Sequence, residues 1–140
     1  MATREELVDT LASFTLFGDL TRPQLTGVVH LFEEVMFAEG ERVLRQGLTG
    51  SGFFVILDGE AKVLVDGIER ARLSRGDFFG EASILLGEPP TADVVALRPL
   101  RCLVLPGPQV ERFLVGHPKV LFRMAQTQAR RLRSANQWRN

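Results

Sequence analysis

The spacing of apolar positions divides the chain into three stretches. Leu7, Val8, Leu11 and Phe14 recur at helical intervals behind Thr3 and Glu6, a pair with the spacing of a capping box, and predict a short helix. Thr21 and Gln24 repeat the signature, with Pro23 in the first turn where a missing N–H is harmless. Leu25, Val28, Val29 and Phe32 then mark the face of a second helix. From Glu34 to Pro106 the apolar runs shorten and glycine interrupts them at Gly40, Gly47, Gly52, Gly59, Gly67, Gly76 and Gly87. This punctuation predicts an antiparallel barrel or sandwich, with strands near Glu34–Ala38, Arg42–Gln46, Phe53–Leu57, Glu60–Val65, Ile68–Leu73, Asp93–Leu97 and Leu100–Leu105. Asp58-Gly59 and Asp66-Gly67 read as hairpin turns, since a type I′ turn needs positive φ at both central residues. After "PGP", Val110, Phe113 and Leu114 restore the helical period. Pro118 then opens a longer helix with Leu121, Met124, Ala125, Leu132 and Ala135 on one stripe.

At 140 residues and 45% hydrophobic content, the chain suffices for one core and not for two ordinary domains. The expectation is one domain over 1–140: helices over 3–33, a β-roll over 34–106 and helices over 107–138. The formal net charge is zero, which gives no general pull toward nucleic acid or acidic lipid. The zero hides a split. Lys119, Arg123, Arg130, Arg131, Arg133 and Arg139 follow Pro118 with no acid among them, so the body is acidic and the tail basic. Such a tail is read either as a solvated helix face or as a contact for an anionic or protein partner. Cys102 is alone, which excludes a disulfide framework and suits a reducing cytoplasm. The N-terminus has no apolar signal core and no stretch approaches a membrane span, so a soluble cytoplasmic protein without a membrane partner is expected.

Enzyme chemistry finds little support. His30 and His117 lack a serine, cysteine or carboxylate at catalytic spacing, and tyrosine is absent. Cys102 shares no metal-ligand spacing with either histidine, and no acidic cluster has the pattern of a calcium loop, so no metal is expected. "GLTGSG", Gly47 to Gly52, lacks the lysine and the helix of a nucleotide-binding P-loop and reads as a turn. There remains "FGEASILLGEPPTADVV", residues 79–95. Gly80 permits close backbone approach, and "EASILL" is long enough for one to two helical turns whose unpaired N–H groups favour an anion. The bland alternative is that Glu81 complements the helix dipole while Ile84, Leu85 and Leu86 fill the core.

Five blocks in order, "LFGDLTRPQL", "FAEGERVLRQG", "FFVILDGEAKVLV", "GDFFGEASILLGEP" and "ARRLR", give the chain a resemblance to the cyclic-nucleotide-binding domain family from about Leu11 to Arg133. That family includes the effector domains of catabolite-activator-type regulators and of cAMP-dependent kinase regulatory subunits. The resemblance implies a mainly β fold: an eight-stranded antiparallel β-roll of jelly-roll type with N-terminal helices and a C-terminal lid helix starting at Pro118. It also implies a phosphate-binding cassette over Gly80–Val94. The residue matching Glu81 accepts a hydrogen bond from the ribose 2′-hydroxyl, which suits a carboxylate as a pure acceptor. Gly80 and the backbone around Ala82 and Ala92 line the sugar-phosphate, and Thr91 matches a position where a hydroxyl touches phosphate or favours guanine.

The sequence departs from this pattern in one place above all. Pro90 stands where the cassette arginine pairs with the cyclic phosphate, and Asp93 stands where a neutral residue is usual. Losing one partner of a buried charge pair costs about 3 to 5 kcal/mol, which takes a low-micromolar site to roughly millimolar. Arg72, Arg98 and Arg101 read as solvated strand residues, with a role as replacement cation for the phosphate the alternative. In the catabolite-activator branch, residues soon after "ARRLR" reach the base, which brings Ser134, Asn136 and Gln137 into view, and the long helix pairs with its twin. A helix-turn-helix domain follows that helix in activator-type regulators; here the chain ends at Asn140, so no DNA partner is expected. The reading is a stand-alone, non-enzymatic regulatory module with weak or absent cAMP and cGMP binding. It forms a homodimer through the last helix and signals to an unknown output protein. The alternative is a ligand-free structural module for dimerisation or docking.

Overall fold

The structure, a computed structural model, describes residues 2–48 and 52–139, with side chains through Ala135. Helices α1 (Arg4–Ala12) and α2 (Arg22–Leu31), joined by a 3-10 turn at Thr15–Phe17, precede the strands. The strands are β1 (Glu33–Phe37), β2 (Arg42–Leu44), β3 (Gly52–Asp58), β4 (Glu60–Val65), β5 (Ile68–Ser74), β6 (Phe78–Phe79), β7 (Asp93–Ala96) and β8 (Leu100–Pro106). The short helix α3 (Glu81–Leu86) lies between β6 and β7, and α4 (Gly107–Gly116) and α5 (Pro118–Arg139) close the chain. Thr21 and Gln24 form a complete capping box on α2, whereas Thr3 caps α1 only through its hydroxyl, which accepts the Glu6 N–H. No helix among the described residues is long and apolar enough to cross a membrane.

The strands form two four-stranded antiparallel sheets, in the orders β1-β8-β3-β6 and β2-β7-β4-β5. This is the expected β-roll. Its most informative strand is β3, whose run "GFFVIL" is buried throughout because both faces are covered. Phe54 and Ile56 face the inside of the roll with Ala61, Phe79, Val94 and Leu100. Phe53, Val55 and Leu57 face a helical layer built from α1, α2, α4 and the start of α5. Val120 and Met124 of α5 belong to that layer and are fully buried. Cys102 is enclosed within the roll, and burial pushes its thiol pKa up to about 12, as expected of a packing cysteine.

The glycine punctuation locates seven strands and misses β6, which is only two residues long. It also gives two turns the same meaning when they differ. Asp66-Gly67 is a hairpin turn with φ of 53° and 79°, between β4 and β5, which pair. Asp58-Gly59 is instead a corner between the two sheets, since β3 and β4 do not pair. Only Gly59 has positive φ there, and a Cβ on it would stand 2.5 Å from the Pro99 carbonyl oxygen. That glycine is required by close backbone approach rather than by a hairpin.

Candidate functional site

The site grows from the β3–β6 pairing. Phe54 pairs with Phe79 and Val55 with Phe78, which brings the following residue, Gly80, against the start of β3. Gly80 has φ of 89°, and a Cβ there would overlap the Gly52 carbonyl oxygen and stand 3.0 Å from the Phe54 ring. The close approach expected of Gly80 is thus made to its own chain. This left-handed residue turns the backbone into α3, whose first residue is Glu81. Gly87 ends the helix in a second left-handed conformation, and the segment to Ala92 returns the chain to β7.

Glu81 is 4% exposed although it is a carboxylate. Its Oε2 accepts a hydrogen bond from Gln128 Nε2 at 3.2 Å and lies 3.9 Å from the Arg131 guanidinium, both from α5. Its Oε1 is the one buried side-chain polar atom among the described residues without a hydrogen-bond partner. Arg131 makes its short contact elsewhere: it donates to the Phe78 carbonyl at 2.6 Å and stacks 4.6 Å from the Phe78 ring centroid. The terminal helix therefore reaches the start of the cassette, holding β6 just before it through Arg131 and Glu81 through Gln128 and Arg131.

The other expected residues are divided by burial. Pro90 is buried, and its carbonyl accepts the Gly47 N–H at 2.8 Å. Ala92 is half-buried, while Ala82 and Thr91 are exposed. The side chain of Asn136, like that of Gln137, lies outside the described residues. Of the core residues expected on α3, Ile84 packs against the helical layer, but Leu85 and Leu86 are 48% and 66% exposed, because a six-residue helix turns only one side to the body.

Asp93 does not oppose a ligand. Val94 and Ala96 point into the roll, so strand alternation sends Asp93 to the outer face. There it pairs with Arg42 and accepts the Gln46 N–H at 2.7 Å, clipping β2 to β7. The candidate replacement cations are also occupied or remote: Arg72 lies beside Glu60 and Glu69, Arg101 beside Glu34, and Arg98 is exposed in the turn before β8. Among the described residues no group of histidine, cysteine and carboxylates is arranged to hold a metal.

At the other end of α5, Arg123 bonds both oxygens of Asp19 at 2.7 and 3.1 Å, anchoring the helix to the turn before α2. That hydrogen bond holds the Asp19 carboxyl below its ordinary pKa and raises that of Arg123. Beside the pair, a hollow of about 280 Å³ opens between Asp19, Pro118, Lys119, Phe122 and Arg123, none of them in the cassette.

Sequence reading did not assign roles to Gln128 and Arg131. A signal exists in the helical period: Val120 and Met124 fix the buried face of α5, and the same face reaches Gln128 and Arg131 four and seven residues further on. Polar residues continuing a buried apolar stripe point to a polar partner beneath.

The two-sheet roll, the interrupting cassette and the helix laid across it are the architecture of a regulatory effector domain. Residues 34–117, more than half of the chain, match the pattern of the cyclic nucleotide-binding domain, and the chain belongs to that family. A curated relative is the cGMP-dependent protein kinase egl-4 of Caenorhabditis briggsae. It is 32% identical over 105 residues, which cover 71% of this chain and 14% of the kinase. Among solved structures, cAMP-bound PfPKA-R (141-441) superposes with a TM-score of 0.85 at 21% identity, covering 96% of this chain and 47% of that one. The regulatory subunit of a cAMP-independent protein kinase A from Trypanosoma cruzi, bound to guanosine, gives 0.73 at 22% identity, covering 90% and 50%. At these identities the two structures speak to the fold alone.

Proposed function

We propose that the chain is a sensor domain for a ribose-bearing ligand, in which Glu81 accepts a ribose hydroxyl and the position of α5 carries the signal. The observation that carries this reading is the buried, unpartnered Oε1 of Glu81. A buried carboxylate oxygen calls for a donor, and a hydroxyl is a good one. Gly80 and the backbone at Ala82 and Ala92 line the sugar, with the Thr91 hydroxyl at the cassette edge. Phosphate recognition is the weak part of the site, because Pro90 brings no charge and Arg42, Arg72 and Arg101 have carboxylate partners. Weak binding of cAMP and cGMP follows, and the cyclic phosphate adds little to what the nucleoside achieves. Neighbours of the same fold hold cAMP in one case and guanosine in another, so both a nucleoside and a cyclic nucleotide belong in the test.

The test is calorimetric titration of the purified protein with adenosine, guanosine, their 2′-deoxy counterparts, cAMP and cGMP. Removing the 2′-hydroxyl takes a donor from a charged acceptor and should weaken binding about ten- to hundredfold. Equal affinity for ribo and deoxy forms would remove Glu81 from ligand recognition. Heat from none of the six leaves the ligand-free docking module as the better account.

The proposed output is a homodimer formed along α5, read by an output protein. The stripe expected for it needs one correction: Met124 is fully buried in its own domain and takes no part. Leu121, Ala125 and Leu132 lie together on an adjacent flank and are exposed, Leu132 by 63%. Because Leu132 contributes nothing to the domain's own core, Leu132→Glu should yield a folded monomer in sedimentation where the unmodified protein is a dimer. A monomeric unmodified protein at high concentration overturns the dimer.

A further inference from the structure

We infer that the solvent-facing flank of α5, from Lys119 to Arg133, is a docking surface for an acidic amphipathic helix of a partner protein. The inference gives a chemistry to the output protein of the reading above, and it requires neither the ribose site nor the dimer.

Spacing and exposure define the flank. Lys119, Phe122, Gln126, Arg130 and Arg133 follow one another at intervals of three and four residues, so they form a row along one side of the helix. Val120 and Met124 face the domain's own core, and Leu121, Ala125 and Leu132 form the flank assigned to the dimer. The row is separate from both. Lys119, Phe122, Arg130 and Arg133 are exposed, Phe122 by 59%. At the N-terminal end, Lys119 and Phe122 are walls of the hollow beside Asp19. That end is held in place, because Arg123 bonds both Asp19 oxygens and donates to Gln126 at 2.9 Å.

The charge on the row calls for an acidic partner. Among the described residues Lys119, Arg130 and Arg133 form no salt bridge, and no acid occurs in residues 118–140. Asp19 is taken up by Arg123, and Lys119 acts on it only at longer range. A helix face that meets only water is ordinarily laced with acid–base pairs three or four residues apart, whereas Arg130 and Arg133 repel each other at that spacing. Other occupants fit less well. A second copy laid on the same row sets cation against cation, and a second copy presenting its acidic body makes a head-to-tail contact that propagates instead of closing. Polybasic lipid contacts take about four to eight cations, more than this row holds, and the acidic body beside it opposes an anionic surface. At about 1.5 Å per residue the row extends about 21 Å, the length of a helix of about 15 residues. Phe122 at the hollow gives such a helix an apolar anchor at one end, and the two arginines at the other end fix its direction.

The probe is a labelled helical peptide of about 15 residues with glutamates along one face and a leucine at one end of that face. The control has the same composition with the glutamates spread evenly around the helix. Fluorescence anisotropy should show one probe bound per chain, weakening as salt rises, and the control bound about tenfold more weakly. Arg130→Gln with Arg133→Gln should weaken the probe about tenfold, the worth of two exposed ion pairs, and Arg130→Lys with Arg133→Lys should restore most of the affinity. Phe122→Ala should weaken binding at low and high salt alike, because an apolar contact is not screened. Equal binding of the two peptides, or a glutamine pair that binds as tightly as the unmodified protein, overturns the inference. So does binding to vesicles of phosphatidylcholine and phosphatidylserine where the probe does not bind, which assigns the row to a lipid surface. Sedimentation of the same samples keeps the readings apart: a monomer that binds the probe refutes the dimer alone, and a dimer that does not bind it refutes the docking surface alone.

Discussion

Pro90→Arg should raise affinity for cAMP and cGMP by roughly two to three orders of magnitude while leaving adenosine and guanosine unchanged. It returns a cation to the cassette position that the family pattern assigns to phosphate, and a buried charge pair gained or lost is worth about 3 to 5 kcal/mol. Arginine is the right replacement because its planar fork pairs two phosphate oxygens at once, which a lysine ammonium does not. The local backbone tolerates the change. The carbonyl of residue 90, which accepts the Gly47 N–H, is retained, the variant regains an N–H that proline lacks, and the guanidinium has to leave the buried place of the ring to meet the phosphate. An acid at position 93 would repel a phosphate if it faced the pocket, but Asp93 pairs outward with Arg42 and the Gln46 N–H. Adding Asp93→Thr should therefore give no further gain and should loosen the β2–β7 clip. Titration of the single and double variants decides the matter: a double variant clearly tighter than Pro90→Arg returns Asp93 to the pocket, and a folded Pro90→Arg without any gain removes position 90 from phosphate recognition.

Gly80→Ala should be strongly destabilising. The added Cβ meets two obstacles together: a φ of 89° that L side chains rarely adopt, and the Gly52 carbonyl oxygen in the space it would occupy. Holding a non-glycine residue in that conformation costs of order 1 to 3 kcal/mol. Relief of the overlap requires β6 to part from β3, which releases Phe79 from its ring stack on Phe54, 4.7 Å between centroids. A total of about 3 kcal/mol or more should lower the melting temperature by on the order of 10 °C. Gly67→Ala is the control for strain alone, since its φ is also positive but nothing lies within 4 Å of the new Cβ. Thermal melts in which Gly80→Ala loses no more than Gly67→Ala would show that the close approach to Gly52 carries no weight.

Much of this architecture was legible before the structure, and its limits have physical causes. Phe53 to Leu57 announces itself as a strand because a continuous apolar run bounded by glycine suits a strand covered on both faces. Strands β4 and β5 are legible because their turn is local in sequence. Asp58-Gly59 misleads for the converse reason: whether adjoining strands share a sheet depends on β7 and β8, some forty residues away. Met124 and Leu132 illustrate a second limit. Both are apolar and both sit on α5, but one is fully buried and the other mostly exposed, because the helical layer, through the 3-10 turn and α4, covers one side of the helix and leaves the other open. Glu81 was legible through the family pattern, and the structure buries its carboxylate beside α5. The helix side chains that meet it were not, since a glutamine and an arginine in a polar tail carry no sign of what lies beneath until the tail is laid across the cassette.

The central claim is that the ribose, and not the phosphate, is what this site reads. The measurement closest to it is the titration of the unmodified protein with each nucleoside and its cyclic phosphate under one set of conditions. The account predicts one-to-one binding in which guanosine and adenosine are at least as tight as cGMP and cAMP, because Pro90 leaves the phosphate without a charged partner. A cyclic nucleotide bound tenfold or more tighter than its nucleoside would contradict it, and would mean that another cation of this chain neutralises the phosphate.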